Sequence, residues 1–411
     1  MKIVHVEDFF HPDAGYQLNV LAKFMAQEGH EIIILSAQAE GIPGNLVSFF
    51  GKEDLDKRDR EYERLYGVKI IRLPVAGYYS GRVFFKKGWL KVIKDIDPDV
   101  VFIHGNDTFT AISYLFAYKK MPYTLVMDSH MLEMASRNKL RGVFHRLYRY
   151  FITPQIIKNK IPVIRTQNSD YVEKHLGIPL SQCPWISVGS DTMLFVPDKC
   201  SRKLNRRQYK IQDNDFVITY AGKLDEAKGG RFLADAIKKR IESSKKVVFL
   251  IIGNKGKDEY GSKVEKTFNE SENKIIRIDT QKYVDLAKYY QMSDLIVYPK
   301  QCSLSFYDAQ ACGVPVLFED NEINRLRAQN GNAVLFRSDD IEDFRKGCLA
   351  MIEADELKYE EMSKNAVDYV KQKYDYRNIT HEYIEVVSSA CIKQGHSTKP
   401  KEEEHECLLS N

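Results

Sequence analysis

Long apolar runs are missing from this chain. The longest, such as residues 247–253, fall far short of the roughly 20 needed to span a bilayer, which excludes a transmembrane protein. Met1 leads straight into strand-like sequence, so no secretory signal peptide is expected. Pairing signals among the cysteines are missing too. The seven, at 183, 200, 302, 312, 348, 391 and 407, are odd in number, and no two form Cys-x-x-Cys. Reduced, mostly buried thiols in a cytoplasmic protein are expected, not disulfides or zinc. The ten histidines never take His-x-x-x-His or His-Glu-x-x-His spacing, so no metal site is expected. No Gly-x-Gly-x-x-Gly follows a strand, which disfavours a dehydrogenase. Net charge is small: 61 Lys and Arg against 57 Asp and Glu leave +4, arguing against generic nucleic-acid binding.

What is present is a repeating β–α pattern. At 411 residues the chain is too long for one ordinary core, and 44% hydrophobic with 29% charged residues is the balance of a folded protein. In the first half, strands are expected at 2–6, 31–35, 69–73, 100–104, 123–128, 162–166 and 184–188. In the second half they are expected at 216–221, 247–253, 274–279, 295–298, 315–318 and 333–336. Continuous apolar strands separated by helices imply parallel sheets covered on both faces. The pattern restarts near residue 215 after a polar, basic stretch at 198–209. We therefore expect an α/β protein with two doubly wound, Rossmann-like domains, 1–195 and 196–395, followed by a disordered polar tail, 396–411. Ligands of such sheets sit beyond the carboxyl ends of the strands, so the cleft between the domains is the expected site.

Two strand ends in the second half carry chemistry. After Val217 to Gly222 come Lys223, Lys228, Gly229 and Gly230, and then a helix. Glycines admit a close ligand, helix amides suit an anion, and lysines add charge for a diphosphate. Such a loop, taken alone, is more often a solvated turn. The second stretch runs from Tyr298 through Ser303, Leu304 and Ser305 to Asp308, then Gly313-Val-Pro315. The amides of Ser303, Leu304 and Ser305 can meet phosphate, and Asp308 can accept two hydrogen bonds from a ribose diol. The competing reading of Asp308 is a charge complementing its helix dipole.

With these motifs the chain resembles, over about residues 1–390, the family 4 (group 1) retaining glycosyltransferases of the GT-B fold. The match rests on four segments: Pro12-Asp-Ala-Gly15 with Gly29-His30; Gly189-Ser-Asp191 to Phe195-Val-Pro197; the Ala-Gly-Lys-Leu to Lys228-Gly turn; and Asp308-Ala-Gln-Ala-Cys-Gly313-Val-Pro315. The resemblance implies a second domain that binds a nucleotide-diphosphate sugar and a first domain that shapes the acceptor side. It makes Lys223 and Lys228 diphosphate ligands, Asp308 the ribose acid, and His130 the contact to the donor sugar near the reaction centre. Gly15 and Gly222 would let backbone approach the donor, and His104 and Asp107 would line the acceptor side. Lys223 stands where the family usually has Arg, which keeps charge and loses the bidentate fork. Of the family's two glutamates eight positions apart, the second is Asp308 and the first falls on Lys300, a donor in place of an acceptor.

From Arg137 to Arg165 the chain has eight Lys or Arg and no acid. Leu140, Val143, Phe144, Leu147, Tyr148 and Phe151 fall on one helical stripe, while Arg141, Arg146 and Arg149 lie elsewhere. A packing helix needs such a stripe, whereas the missing acid suits an anionic membrane surface, giving cytoplasmic with peripheral membrane association. The resulting expectation is a hexosyltransferase-like enzyme of polysaccharide biosynthesis. It would be metal-independent, without a cofactor, and move a sugar with retention from a nucleotide-diphosphate donor to a glycan or glycolipid acceptor. Two rivals stay open: a sugar-nucleotide epimerase, and a degenerate non-catalytic GT-B binding subunit, the latter motivated by Lys300.

Overall fold

The computed structural model of the chain describes residues 1–41, 54–79, 81–131, 141–254, 256, 258–300 and 305–396. The first domain holds β1 (Lys2–Val6), β2 (Glu31–Ala37), β3 (Lys69–Leu73), β4 (Val75–Tyr79), β5 (Arg82–Phe85), β6 (Val100–Ile103), β7 (Thr124–Ser129) and β8 (Val163–Arg165). Six of these form a parallel sheet in the order β3-β2-β1-β6-β7-β8. The second domain holds β9 (Phe216–Ala221), β10 (Val247–Ile252), β11 (Lys274–Ile278), β12 (Leu295–Tyr298), β13 (Val316–Glu319) and β14 (Ala333–Phe336). They form a second parallel sheet in the order β11-β10-β9-β12-β13-β14.

Alternation along each strand feeds two cores, because successive side chains leave opposite faces. Val4, Val6, Val101, Ile103, Leu125 and Met127 enter one cluster, while Ile3, Val100, Phe102 and Val126 enter the other. The second sheet divides in the same way, with Val217, Leu250 and Ile296 on one side and Ile218, Phe249 and Val297 on the other.

Three elements depart from the expectations. Residues 184–188 make one isolated bridge, Arg165 to Trp185, rather than a strand. The antiparallel hairpin β4–β5 stands apart from both sheets. The last helix, Tyr376–Gln394, crosses the boundary drawn at 195/196. Its Ile379, Tyr383, Val387, Ala390 and Cys391 pack with Ile3, Leu18, Phe102 and Ile164 of the first domain. Each such fully buried apolar side chain contributes about 1.5–3 kcal/mol, against a typical total stability of about 5–15 kcal/mol. By packing, the helix is part of the first domain.

The chain therefore crosses between domains twice, and the crossings are tied together. Ser190 N donates to Tyr374 O at 2.8 Å, and Tyr376 N donates to Ser190 O at 3.0 Å. Thr192 Oγ1 donates to Asp375 Oδ2 at 2.6 Å beside them. No helix among the described residues is long and apolar enough to cross a membrane.

Candidate functional site

Strand order reverses between β1 and β6 in the first sheet and between β9 and β12 in the second, and ligands of open α/β sheets bind at such reversals. The carboxyl edges of the two sheets face each other. Tyr283, beyond β11, donates its N–H to Asp13 O, beyond β1, at 3.0 Å, and Lys282 Nζ lies 3.2 Å from Asp13 Oδ1. Gly15 is expected to admit donor phosphates. What it admits is the Tyr283 ring, for a Cβ on Gly15 would sit 2.0 Å from Tyr283 Cδ2.

The turn after β9 is built around a short helix start. Gly222 N donates to Ile252 O at 3.0 Å, Tyr220 OH donates to Lys223 O at 2.5 Å, and Lys228 N donates to Asp225 Oδ1 at 2.9 Å. Gly229 has φ +73°, the left-handed region, and a Cβ there would meet Lys300 Cγ at 2.9 Å. Lys300 thus lies against the turn that carries Lys228. Its Nζ is 2.9 Å from Asp339 Oδ1, and that hydrogen bond raises its pKa. Lys223, Lys228 and Lys300 all stand on the loops flanking the β9/β12 crevice. Ser305 opens the helix Ser305–Ala311, its Oγ 3.0 Å from Tyr298 OH. Ser303 and Leu304 lie outside the described residues.

Asp308 is buried on that helix at the domain crossing. Ser190 Oγ donates to its Oδ1 at 2.6 Å, and Tyr283 OH donates to the same oxygen at 3.2 Å. Burial pushes its carboxyl up to about 7, nearby Asp191 adds to this, and the two hydroxyls oppose it. Tyr283 therefore joins Gly15 to Asp308.

In the first domain, Asp128 stands next to last in β7 and gathers three donors. Its Oδ2 accepts from His104 Nδ1 at 2.7 Å and from His130 Nε2 at 3.3 Å, and its Oδ1 accepts from Gly105 N at 2.7 Å. Burial works against its ionisation, yet the two imidazoles outweigh burial and hold the carboxyl below the usual carboxylate range. His104 Nε2 faces His5 Nδ1 at 3.0 Å. Burial, and then His104, push the pKa of His5 well below the ordinary imidazole value. His130 Nδ1 lies 3.2 Å from Thr166 Oγ1, and its side chain is 46% exposed. Burial lowers the pKa of His130, but Asp128 more than restores it, and the net shift is upward.

His104, expected on the acceptor side, is buried and supports Asp128 instead. Asp107 is half-buried and paired with Arg82 at 3.0 Å. Ligand atoms of His104, Asp128 and His130 lie within 4.8 Å of one another, close enough to hold a metal ion; the hydrogen bonds among them account for the grouping. The supporting roles of Asp128, Ser190 and Tyr283 were missed from sequence. Asp128 and His130 did carry a signal, since residues two apart at a strand end share a face.

The expected stripe is divided: Tyr148 is buried, whereas Val143, Leu147 and Phe151 are 52–58% exposed; off the stripe, Ile152 is buried and Tyr150 is 74% exposed. Arg149 donates to the carbonyls of Lys174 and His175, and Arg165 to those of Cys183 and Ser169, so these two cations serve the fold. Arg137, Lys139 and Leu140 lie outside the described residues.

Residues 201–369 match the family described as glycosyl transferases group 1. No curated protein matches the chain. Among solved structures, a glycosyltransferase from Rickettsia africae is similar at TM-score 0.71 and 16% identity, over 95% of this chain and 98% of that one. HepE of Anabaena, in complex with UDP and glucose, is similar at TM-score 0.70 and 18% identity, over 95% and 100%. WaaG, a glycosyltransferase involved in lipopolysaccharide biosynthesis, is similar at TM-score 0.63 and 13% identity, over 96% and 100%. At these identities the likeness establishes the fold, and the fold is GT-B.

Proposed function

We propose a reaction from this premise: the chain is a glycosyltransferase, built on the GT-B fold around a group 1 domain, that takes sugar from a nucleotide-sugar donor. The donor diphosphate rests at the β9/β12 reversal, on Lys223, Lys228 and the amides around Ser305. These charges stabilise the negative charge that grows on the leaving diphosphate without calling on a divalent cation. Asp308 receives the ribose. His130, aimed by Asp128, meets the transferring sugar from the opposite domain. Transfer proceeds with retention to a glycan or glycolipid acceptor in polysaccharide biosynthesis.

The observation that carries this reading is the Lys223–Lys228 turn, packed on Lys300 at the strand-order reversal. A thermal-shift screen of nucleoside diphosphates and their sugars, followed by assay of sugar release without acceptor, tests it. Stabilisation by a diphosphate together with slow donor hydrolysis is the expected outcome. Binding without any turnover would favour the non-catalytic subunit, the reading that Lys300 motivates.

Peripheral association with the cytoplasmic face of a membrane completes the proposal. Its support is the exposed quartet Val143, Leu147, Tyr150 and Phe151 beside Arg141 and Arg146, in a segment without acid. Exposed apolar groups beside cations suit an anionic lipid surface.

A further inference from the structure

Trp185 keeps 45% of its surface exposed, although its neighbour Ile186 is buried. The indole borders a cavity of about 170 Å³ between the domains, shared with Thr166, Gln167 and Asn168 on one side and Tyr307 and Arg327 on the other. We propose that this cavity binds a pyranose ring of the acceptor, with its C–H face on Trp185 and its hydroxyls on Gln167 and Asn168. The inference rests on the glycosyltransferase reading and adds a binding site to it.

The lining has the chemistry for such a ring. An indole offers an apolar face to the C–H side of a sugar. Side-chain amides both donate and accept, which matches adjacent hydroxyls that do the same. Arg327 adds donors only, and its guanidinium is held 4.7 Å above the Phe306 ring. A pocket with few convergent polar groups at a domain interface is the usual form of a small-ligand site.

Its position fits an acceptor. Thr166 Oγ1, on one wall, lies 3.2 Å from His130 Nδ1. Tyr307, on the other, precedes Asp308 in the helix Ser305–Ala311. Ser187 Oγ and Tyr307 OH, 3.4 Å apart, close the wall across the junction. The cavity is therefore complete only when the domains meet, beside the groups assigned to the donor and to transfer.

The chain has two tryptophans, and Trp89 is buried in the first core. Trp89→Phe leaves Trp185 as the single reporter. That protein is titrated with the methyl glycosides of glucose, galactose and mannose, in the presence of whichever of UDP, GDP and ADP binds most tightly by calorimetry. The expected result is a saturable blue shift in emission with at least one glycoside. Gln167→Ala with Asn168→Ala should weaken that glycoside about tenfold, or 1.4 kcal/mol. Diphosphate binding with no response to any glycoside overturns the sugar site and leaves the transferase reading intact. Failure of both overturns both.

Discussion

The hydroxyl of Ser190 lies 2.6 Å from Oδ1 of Asp308, at the first of the two crossings between domains. The same carboxylate oxygen accepts from Tyr283, whose ring fills the space above Gly15 on the opposite domain. One buried acid is thus bonded to the crossing and, through Tyr283, to the closed face of the cleft. A ribose engaging Asp308, as proposed, would compete with these two hydroxyls.

The first prediction concerns pH and affinity. In the role proposed for it, Asp308 would accept ribose hydroxyls as the carboxylate, and its pKa raised to about 7 places half-ionisation near neutrality. Nucleoside diphosphate affinity should fall as pH drops through 7. Ser190→Ala removes a hydroxyl that favours the ionised form, so the midpoint should move to higher pH. Calorimetry across this range in parent, Ser190→Ala and Asp308→Asn checks both statements. The Asn variant, which loses this carboxyl titration, separates it from titration of the ligand. A parent profile identical to that of Asp308→Asn would remove the acid from the site.

Stability supplies a second prediction. The folded-state pKa of Asp308 is raised from 3.8 to about 7, so between these values the folded chain holds more protons than the unfolded one. Stability from this group is therefore greatest below the lower value and is lost as pH rises to the upper one. Asp308→Asn escapes the cost. Its stability relative to the parent should improve between about pH 5 and pH 8, by on the order of 1–3 kcal/mol, since one pKa unit is about 1.4 kcal/mol. Urea denaturation at both pH values checks it; an equal difference at the two contradicts the buried-acid account.

His130 should govern turnover rather than nucleotide affinity. His130→Ala is expected to lower kcat about a hundredfold, the order for one positioned transition-state hydrogen bond, with diphosphate affinity nearly intact. Asp128→Asn removes the charge that raises the His130 pKa, so the basic limb of the pH–rate profile should move to lower pH. A structural role for Asp128 alone would lower stability without moving that limb.

Most strands were legible because strands covered on both faces read as unbroken apolar runs, as in residues 247–252. The β4–β5 hairpin was not, since Val75–Tyr79 carries Gly77 and mixes exposed with half-buried positions. Helical spacing over residues 376–387 marks a helix in the sequence but does not say which core receives it. The lysine turn was visible as composition at a strand end. Burial was not: His104 and His130 look alike in sequence, and only the fold turns one inward and leaves the other open. Ser190 and Tyr283 carry common side chains whose roles come from long-range contact with Asp308.

Membrane association gives a further prediction. Replacing Arg141 and Arg146 with Gln, and Leu147 and Tyr150 with Ser, should reduce sedimentation with phosphatidylglycerol vesicles. Each basic group near such a surface contributes about 1 kcal/mol, and salt should weaken the parent's binding. Arg149 is left intact because it holds the carbonyls of Lys174 and His175. A parent that stays in the supernatant at low salt would assign the exposed quartet elsewhere.

The account stands on the donor diphosphate lying on the turn after β9. Lys228→Ala removes one cation while Gly229, with its left-handed φ of +73°, and the Lys228 N–H bond to Asp225 remain. Calorimetry of UDP, GDP and ADP against parent and variant is the direct measurement. The prediction is a loss of about 1.5–3 kcal/mol for the nucleotide that binds, the range for a charge-assisted hydrogen bond, with an unchanged melting temperature of the free protein. Equal affinity in the two proteins would contradict it.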